Sequence, residues 1–370
     1  MISQGANGAG PQLPVSRHAC DLRGFIRRLD EAGCLVRITK AVDWKFEIGK
    51  ITRERLTPLL FENVVDYPEQ RVFTNGLCHA SAISFALGLD LGNDRRALLE
   101  EVKNRIRKPI KPIVLQTGPV LENVVETRNV NLLALPVPWW NARDGGRYLG
   151  TWHINVTEDP NTGLRNVGVY RMQLLGGRRA SVSASPGSHL SQHFAKAVRQ
   201  NRPLPMAMAI GVSEILMMAA AAAYPAGMDE YELAGGLQQE PIKLVQCRTV
   251  NLCVPAHAEI VIEGFLRTDT RVEDGPYFDY SGKMDTNPCA FLFDATGVMF
   301  RNNPIFRGSS VGVPGAEDHQ LFAFLAEFGL VDFHGSRFKK KLQNALLRNH
   351  LFRAFQFAGK LGALNKNANY

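Results

Sequence analysis

Apolar positions spaced by three and four open the readable part of the chain. Leu22, Phe25, Ile26 and Leu29 lie behind Asp21 and ahead of Gly33, which predicts a capped helix. Cys34–Ile38 then reads as a strand, 59–64 and Arg71–Thr74 as two more, and residues 80–88 and 93–104 as helices. Mixed strands and helices predict a small N-terminal α/β domain over residues 17–115. In the passage 133–146, Pro136, Pro138 and the Gly145–Gly146 pair exclude regular structure. Trp139 and Trp140 within it read as the cover of a domain junction, with a recognition surface as the rival reading.

Strand density rises from Arg147 to about Phe300. Candidates are 148–157, 166–175, 205–211, 241–247, 258–265 and 290–299, interrupted by helices over 188–201, 213–223 and 229–237. Ser213 is a good N-cap, Glu214 supplies a first-turn acid, and Tyr224-Pro225 stops the alanine-rich helix. The pattern predicts a mixed sheet or barrel with helical insertions. No Gly-x-Gly-x-x-Gly follows a strand, which argues against a Rossmann dinucleotide site. A helix is expected from about Glu317 to Phe328. Beyond it Phe338, Leu342, Ala345, Leu346, Phe352 and Phe355 form a helical apolar stripe beside Lys339, Lys340, Lys341 and Arg348. That stripe predicts a helix docked on the body or on a neighbouring subunit, with contact to an anionic membrane or lipid-linked substrate as the rival.

Composition narrows the class without naming a reaction. The 370 residues are 45% hydrophobic and 21% charged, as in an ordinary globular protein, and no apolar run approaches the length of a membrane-spanning helix. Residues 1–16, rich in Gly, Gln and Pro early on and without an apolar h-region, are expected to be a flexible leader. Six scattered cysteines without a C-x-x-C pair argue against a zinc ribbon or disulfide framework, so a reducing cytoplasm is expected. The net charge of +8 belongs mostly to the segment from residue 331 onward, where eight basic residues face Asp332 alone. Nucleic-acid binding by the body therefore has little support.

The candidate chemistry centres on Leu164-Arg-Asn-Val-Gly-Val-Tyr-Arg-Met-Gln173, a strand by its alternation. It carries an amide, Asn166, which can ligate a hard cation, and a guanidinium, Arg171, which can hold a carboxylate with two bonds. Positions five apart face opposite sides of a regular strand. Both reach one site only if Gly168 marks a bulge or the site wraps the strand edge; otherwise this is an ordinary strand with a solvated Arg. Three more segments join it: Gly187-Ser-His189 through His193, Met228-Asp-Glu230 through Gly236, and an acid-rich turn, Arg271 through Gly282.

Together these segments resemble the UbiD family of decarboxylases, which use a prenylated flavin mononucleotide. The resemblance also rests on the helix at Asp21, on Leu60-Phe-Glu-Asn-Val64 and Asp144-Gly-Gly-Arg-Tyr148, and most specifically on Arg165–Gln173 and Val254–Gly264. It implies an α/β (α+β) protein whose residues 116–310 form a split-β-barrel flavin-binding domain, followed by a reduced helical C-terminal lobe over 311–370. It places Asn166, His189 and Glu230 on the family's ligands for a divalent metal, usually Mn(2+), that bridges to the flavin phosphate, with K(+) often nearby. His193, one turn after His189, is the rival ligand. Thr151, Val169, Tyr170, Arg171, Ser185 and His189 fall on positions facing the prenylated FMN.

Arg171 falls on the catalytic arginine, expected to orient the substrate carboxylate. Asp274 falls on its acidic partner and Asp279 on the acid that protonates the carbon left by CO2. Loss of CO2 leaves an electron pair that side chains accept poorly, so a cofactor sink is expected. The chain departs from the family where Asp274 stands in place of a usual Glu, leaving Glu273 as an alternative partner, and where Phe278 replaces a common glycine. The implied function is non-oxidative, reversible decarboxylation of an aromatic, heteroaromatic or α,β-unsaturated carboxylic acid. A flavin prenyltransferase would supply the cofactor, and a homo-oligomer is expected. Rival readings are a cofactor-binding or partner subunit without turnover and a metal-dependent hydrolase, the latter weakened by the lack of H-E-x-x-H.

Overall fold

A computed structural model describes residues 21–89, 94–224 and 227–328. The expected leader and the basic segment beyond residue 330 lie outside the described residues, so the docked-helix reading is not addressed. The first helix, Leu22–Glu31, starts where its cap predicts: the Asp21 carboxylate accepts the Gly24 N–H at 2.8 Å. Its apolar stripe, Leu22, Phe25, Ile26 and Leu29, is buried, each side chain contributing roughly 1.5–3 kcal/mol. The neighbouring four-stranded sheet runs Val36–Ile38, Leu59–Phe61, Arg71–Thr74 and Ile305–Arg307. Its last strand comes from far along the chain and pairs parallel with Arg71–Thr74, so the N-terminal and central segments interlock. A helix at Glu47–Glu54 was not expected. It seats Gly49 so close to Trp140 that an added Cβ would lie 1.9 Å from the Trp140 carbonyl oxygen.

Trp140 is buried and donates its indole N–H to the Tyr148 carbonyl at 3.1 Å. Its ring also packs against Gly308, beside the interlocking strand. Trp140 thus covers a junction between the helix Glu47–Glu54 and the interlocking strand.

The central sheet has the order Arg179–Val182, Met284–Phe300, Ile260–Phe278, Leu204–Ile210, His153–Glu158 and Arg165–Gly168, with Asn123–Glu126 pairing on Met284–Phe300. Neighbours along this path are antiparallel. Leu204–Ile210 shows why its sequence reads as nearly unbroken apolar. Ala207 and Ala209 enter one buried cluster, while Met206, Met208 and Ile210 enter the cluster on the other face. Mixed helices and one curled antiparallel sheet give an α+β layout. Among the described residues no helix is long and apolar enough to cross a membrane.

Expectations at two segments of the site need correction. The segment expected as an acid-rich turn from Arg271 is strand as far as Phe278; only the residues after it turn. Together, Ile260–Phe278 and Met284–Phe300 form a long hairpin whose register slips four times, including on both sides of Asp274, and each slip bends the ribbon. Conversely, the strand expected over 166–175 breaks between Gly168 and Met172.

Candidate active site

That break answers the difficulty raised by Asn166 and Arg171 lying five positions apart. Between the two short strands the Tyr170 carbonyl leaves the ladder. It is held by the Asn155 amide at 3.1 Å and lies 3.0 Å from His153 Nε2. Face alternation therefore does not carry through to Arg171. The Tyr170 ring folds back over Gly168, where an added Cβ would meet it at 2.8 Å. Both Asn166 and Arg171 consequently line one cavity of about 810 Å³, a volume within the usual range of cofactor sites.

The same cavity is lined by Thr151, Val169, Tyr170, Ser185, His189, Glu230 and Asp279. Two helices aim their first residues at it. His189 opens the helix His189–Arg199 behind the N-cap Ser188, and Glu230 opens Glu230–Gln238 behind the N-cap Asp229. Helix N-termini carry unsatisfied N–H groups and partial positive charge, a setting suited to phosphate oxygens. Asp229 is itself fixed by Arg165 at 2.7 Å. Glu230 accepts the Val167 N–H at 3.0 Å, and burial pushes its carboxyl up to about 7. His193 is buried elsewhere, its Nδ1 3.1 Å from Thr157 Oγ1, and burial lowers it to about 4; it does not line the cavity.

Among the described residues no group of three or more His, Cys, Asp and Glu converges on a metal position. Asn166, His189 and Glu230 supply only two of those residue types plus an amide. They fit a hard cation only if non-protein oxygens such as a phosphate complete its shell.

Arg171 is the best-supported charge in the cavity. Its Nε donates to Asp274 Oδ1 at 2.6 Å and its Nη1 to Asp285 Oδ2 at 2.6 Å, while Nη2 is buried without a partner. The guanidinium also lies 5.2 Å from the centre of the Tyr277 ring. Burial alone would lower the arginine, but the two carboxylates outweigh it and hold it fully charged. Asp274 is completely buried behind Arg171 and takes a second bond from Ser181 Oγ at 2.6 Å; burial raises its carboxyl against the pull of the arginine.

The shorter acid reaches because the ribbon is pulled in around it. Gln173 Oε1 accepts the Gly275 N–H at 2.9 Å, Asp144 Oδ1 accepts the Phe278 N–H at 2.8 Å, and Gly145 donates to the Pro276 carbonyl at 2.7 Å. Glu273, the alternative partner, is exposed. Asp279 lines the cavity, yet its carboxylate accepts from the backbone N–H and hydroxyl of Ser281 at 2.8 and 2.5 Å, and no bond joins it to Arg171. Asp285, the arginine's second partner, is absent from the sequence reading. It follows Lys283 and Met284 in what looks like an unremarked polar stretch, and only the hairpin fold brings it across. Tyr277 and Ser181 were missed for the same reason.

Comparison with known proteins places this geometry. Residues 113–314 match the 3-octaprenyl-4-hydroxybenzoate carboxy-lyase Rift-related domain (UbiD), and residues 26–106 match the N-terminal domain of the same carboxy-lyases. The chain is 32% identical over 333 residues to the pyrrole-2-carboxylic acid decarboxylase of Pseudomonas aeruginosa, covering 86% of this chain and 67% of that one. It is 30% identical over 310 residues to the phenolic acid decarboxylase of Bacillus subtilis, covering 80% and 65%. Among solved structures, an evolved dimeric form of the UbiD-class enzyme HmfF from Pelotomaculum thermopropionicum, in complex with prFMN, superposes with a TM-score of 0.77 at 31% identity, covering 84% of this chain and 71% of that one. The vanillic acid decarboxylase of Sedimentibacter hydroxybenzoicus in closed form gives 0.80 at 28%, covering 83% and 67%. The chain thus spans about two thirds of the length of these relatives. With both family domains matched in order along the chain, the chain belongs to the UbiD family of carboxy-lyases.

Proposed function

We propose that this chain is a prenylated-FMN-dependent decarboxylase of an aromatic, heteroaromatic or α,β-unsaturated carboxylic acid, acting without net oxidation and reversibly. The observation that carries the reading is Arg171: a cavity-lining guanidinium tied on one side to a buried acid and on the other only to the half-exposed Asp285. Arg171 binds and orients the substrate carboxylate, and Asp274 keeps the guanidinium aimed and charged. In this reading Asp279, whose carboxylate is bonded to Ser281 here, is the residue that would pass a proton to the carbon that loses CO2.

Asn166, His189 and Glu230 would hold a divalent cation, Mn(2+), against the cofactor phosphate, with the two helix N-termini adding their N–H groups. Thr151, Val169, Tyr170 and Ser185 would line the flavin. When bound, the cofactor supplies the electron sink that side chains lack. A flavin prenyltransferase supplies the cofactor in this reading, and the working form is a homo-oligomer.

The reading is tested by loading the protein with prenylated flavin and manganese and following exchange of labelled CO2 into a panel of phenolic, pyrrole and cinnamate-type acids. Exchange on at least one acid, falling by at least about a hundredfold in Arg171→Ala, is expected. Full exchange in that variant would remove the arginine from the reaction. Flavin retention without exchange on any acid would instead favour a cofactor-binding subunit.

A further inference from the structure

The two acids on Arg171 are built differently. Asp274 has no side-chain exposure and is anchored twice, by Arg171 and by Ser181. Asp285 is 52% exposed, lines the cavity itself, and is held to the guanidinium through Nη1 alone. It sits on the second limb of the long hairpin, opposite Tyr277 in register, one residue past the start of that strand. Nη2 beside it has no partner.

A carboxylate prefers a fork of two parallel N–H groups. The Nε edge of Arg171 is taken by the immovable acid. Of the remaining edge, Nη2 is buried and Nη1 is covered by the half-exposed Asp285, so a carboxylate in the cavity reaches the guanidinium through the position Asp285 holds.

We propose that Asp285 is an internal, displaceable carboxylate that holds Arg171 in position before substrate arrives and yields Nη1 to the substrate carboxylate. The proposal rests on the reading of Arg171 given above. Asp285 is a positioning residue that competes with the ligand it prepares for. Its pairing is partly solvated, so displacing it costs little, whereas displacing Asp274 would strip a buried charge of its partner. It also sets a threshold: only a ligand offering a carboxylate gains enough at the guanidinium to replace the one already there. Neutral isosteres gain nothing from the exchange.

The test measures binding of benzoate and of neutral benzamide to the full chain by calorimetry, in wild type, Asp285→Asn, Asp285→Glu and Arg171→Ala. Asp285→Asn is expected to bind benzoate about five- to tenfold more tightly than wild type, with benzamide unchanged. Asp285→Glu is expected to return benzoate affinity toward the wild-type value. A merely structural role would move both ligands together. Benzoate affinity in Asp285→Asn equal to or below that of wild type, including no measurable binding in either, overturns the proposal. Tight benzoate binding in Arg171→Ala would overturn the arginine assignment beneath it, a different failure read from a different variant. In the loaded enzyme the same exchange predicts a lower KM for acids in Asp285→Asn.

Discussion

Burial separates residues that look alike in the sequence. Asp274 and Asp285 both touch Arg171 at 2.6 Å, but one is fully enclosed and the other half in water. Asp274→Ala leaves a largely buried guanidinium short of its anchor and should cost about 3–5 kcal/mol of unfolding free energy. Asp285→Ala should cost less than about 1 kcal/mol. Urea unfolding of the two variants checks the order, and equal losses would contradict it. His153 gives a second residue-scale prediction. Burial lowers its ring to about 4, so the folded protein holds it neutral against an ordinary value near 6.5. Because the unfolded chain binds the proton more readily, its contribution is complete above pH 6.5 and is lost as the pH falls toward 4. The loss is on the order of 3 kcal/mol. Unfolding midpoints measured at pH 7.5 and 5 should converge in His153→Gln relative to wild type; an unchanged pH slope would show that the ring does not carry it.

Elements were legible where their signals are local. Asp21, Ser188, Ser213 and Asp229 each cap the helix that follows, because a short oxygen-bearing side chain satisfies an N–H only a few residues away. The sequence could pose the break at Val169–Arg171 only as a condition, a bulge at Gly168, since His153 and Asn155, which hold the Tyr170 carbonyl, belong to a different strand. The strand character of Arg271–Phe278 was not legible, since glycine, proline and acids read as a turn until Asp144, Gln173 and Arg171 are brought against them. Helix Glu47–Glu54 was missed because its seat is the Trp140 backbone, distant in sequence. That seat makes an element-scale prediction. Gly49→Ala must push the helix off the junction and should destabilise by about 1–3 kcal/mol, whereas Gly163→Ala, with open space around it, should pay only for its positive φ. Thermal unfolding of both variants discriminates; a smaller loss at Gly49 than at Gly163 would place the junction elsewhere.

At the scale of the molecule, the interlocking strand of the four-stranded sheet is also tied by charge to two helices. Arg307, on the interlocking strand, is fully buried between Glu214 Oε1 at 2.8 Å and Glu317 Oε2 at 2.5 Å, joining helices Glu214–Ala220 and Glu317–Ala326. Both of those helices contribute to the cavity wall, through Met217 and Leu321. No local pattern announces such a triad; it exists only once three distant segments meet. What the motifs did convey was the set of residues that would meet, and the fold gathers Asn166, His189, Glu230, Arg171 and Asp279 on one wall system with Asp274 directly behind. The central proposal is that this cavity holds a prenylated flavin together with a divalent cation. Native mass spectrometry of the chain co-expressed with a flavin prenyltransferase tests it most directly. The account predicts the mass of prenylated FMN with one manganese per chain, both lost in Glu230→Ala and in His189→Ala. A wild-type protein carrying no flavin, or variants retaining flavin and metal in full, would contradict it.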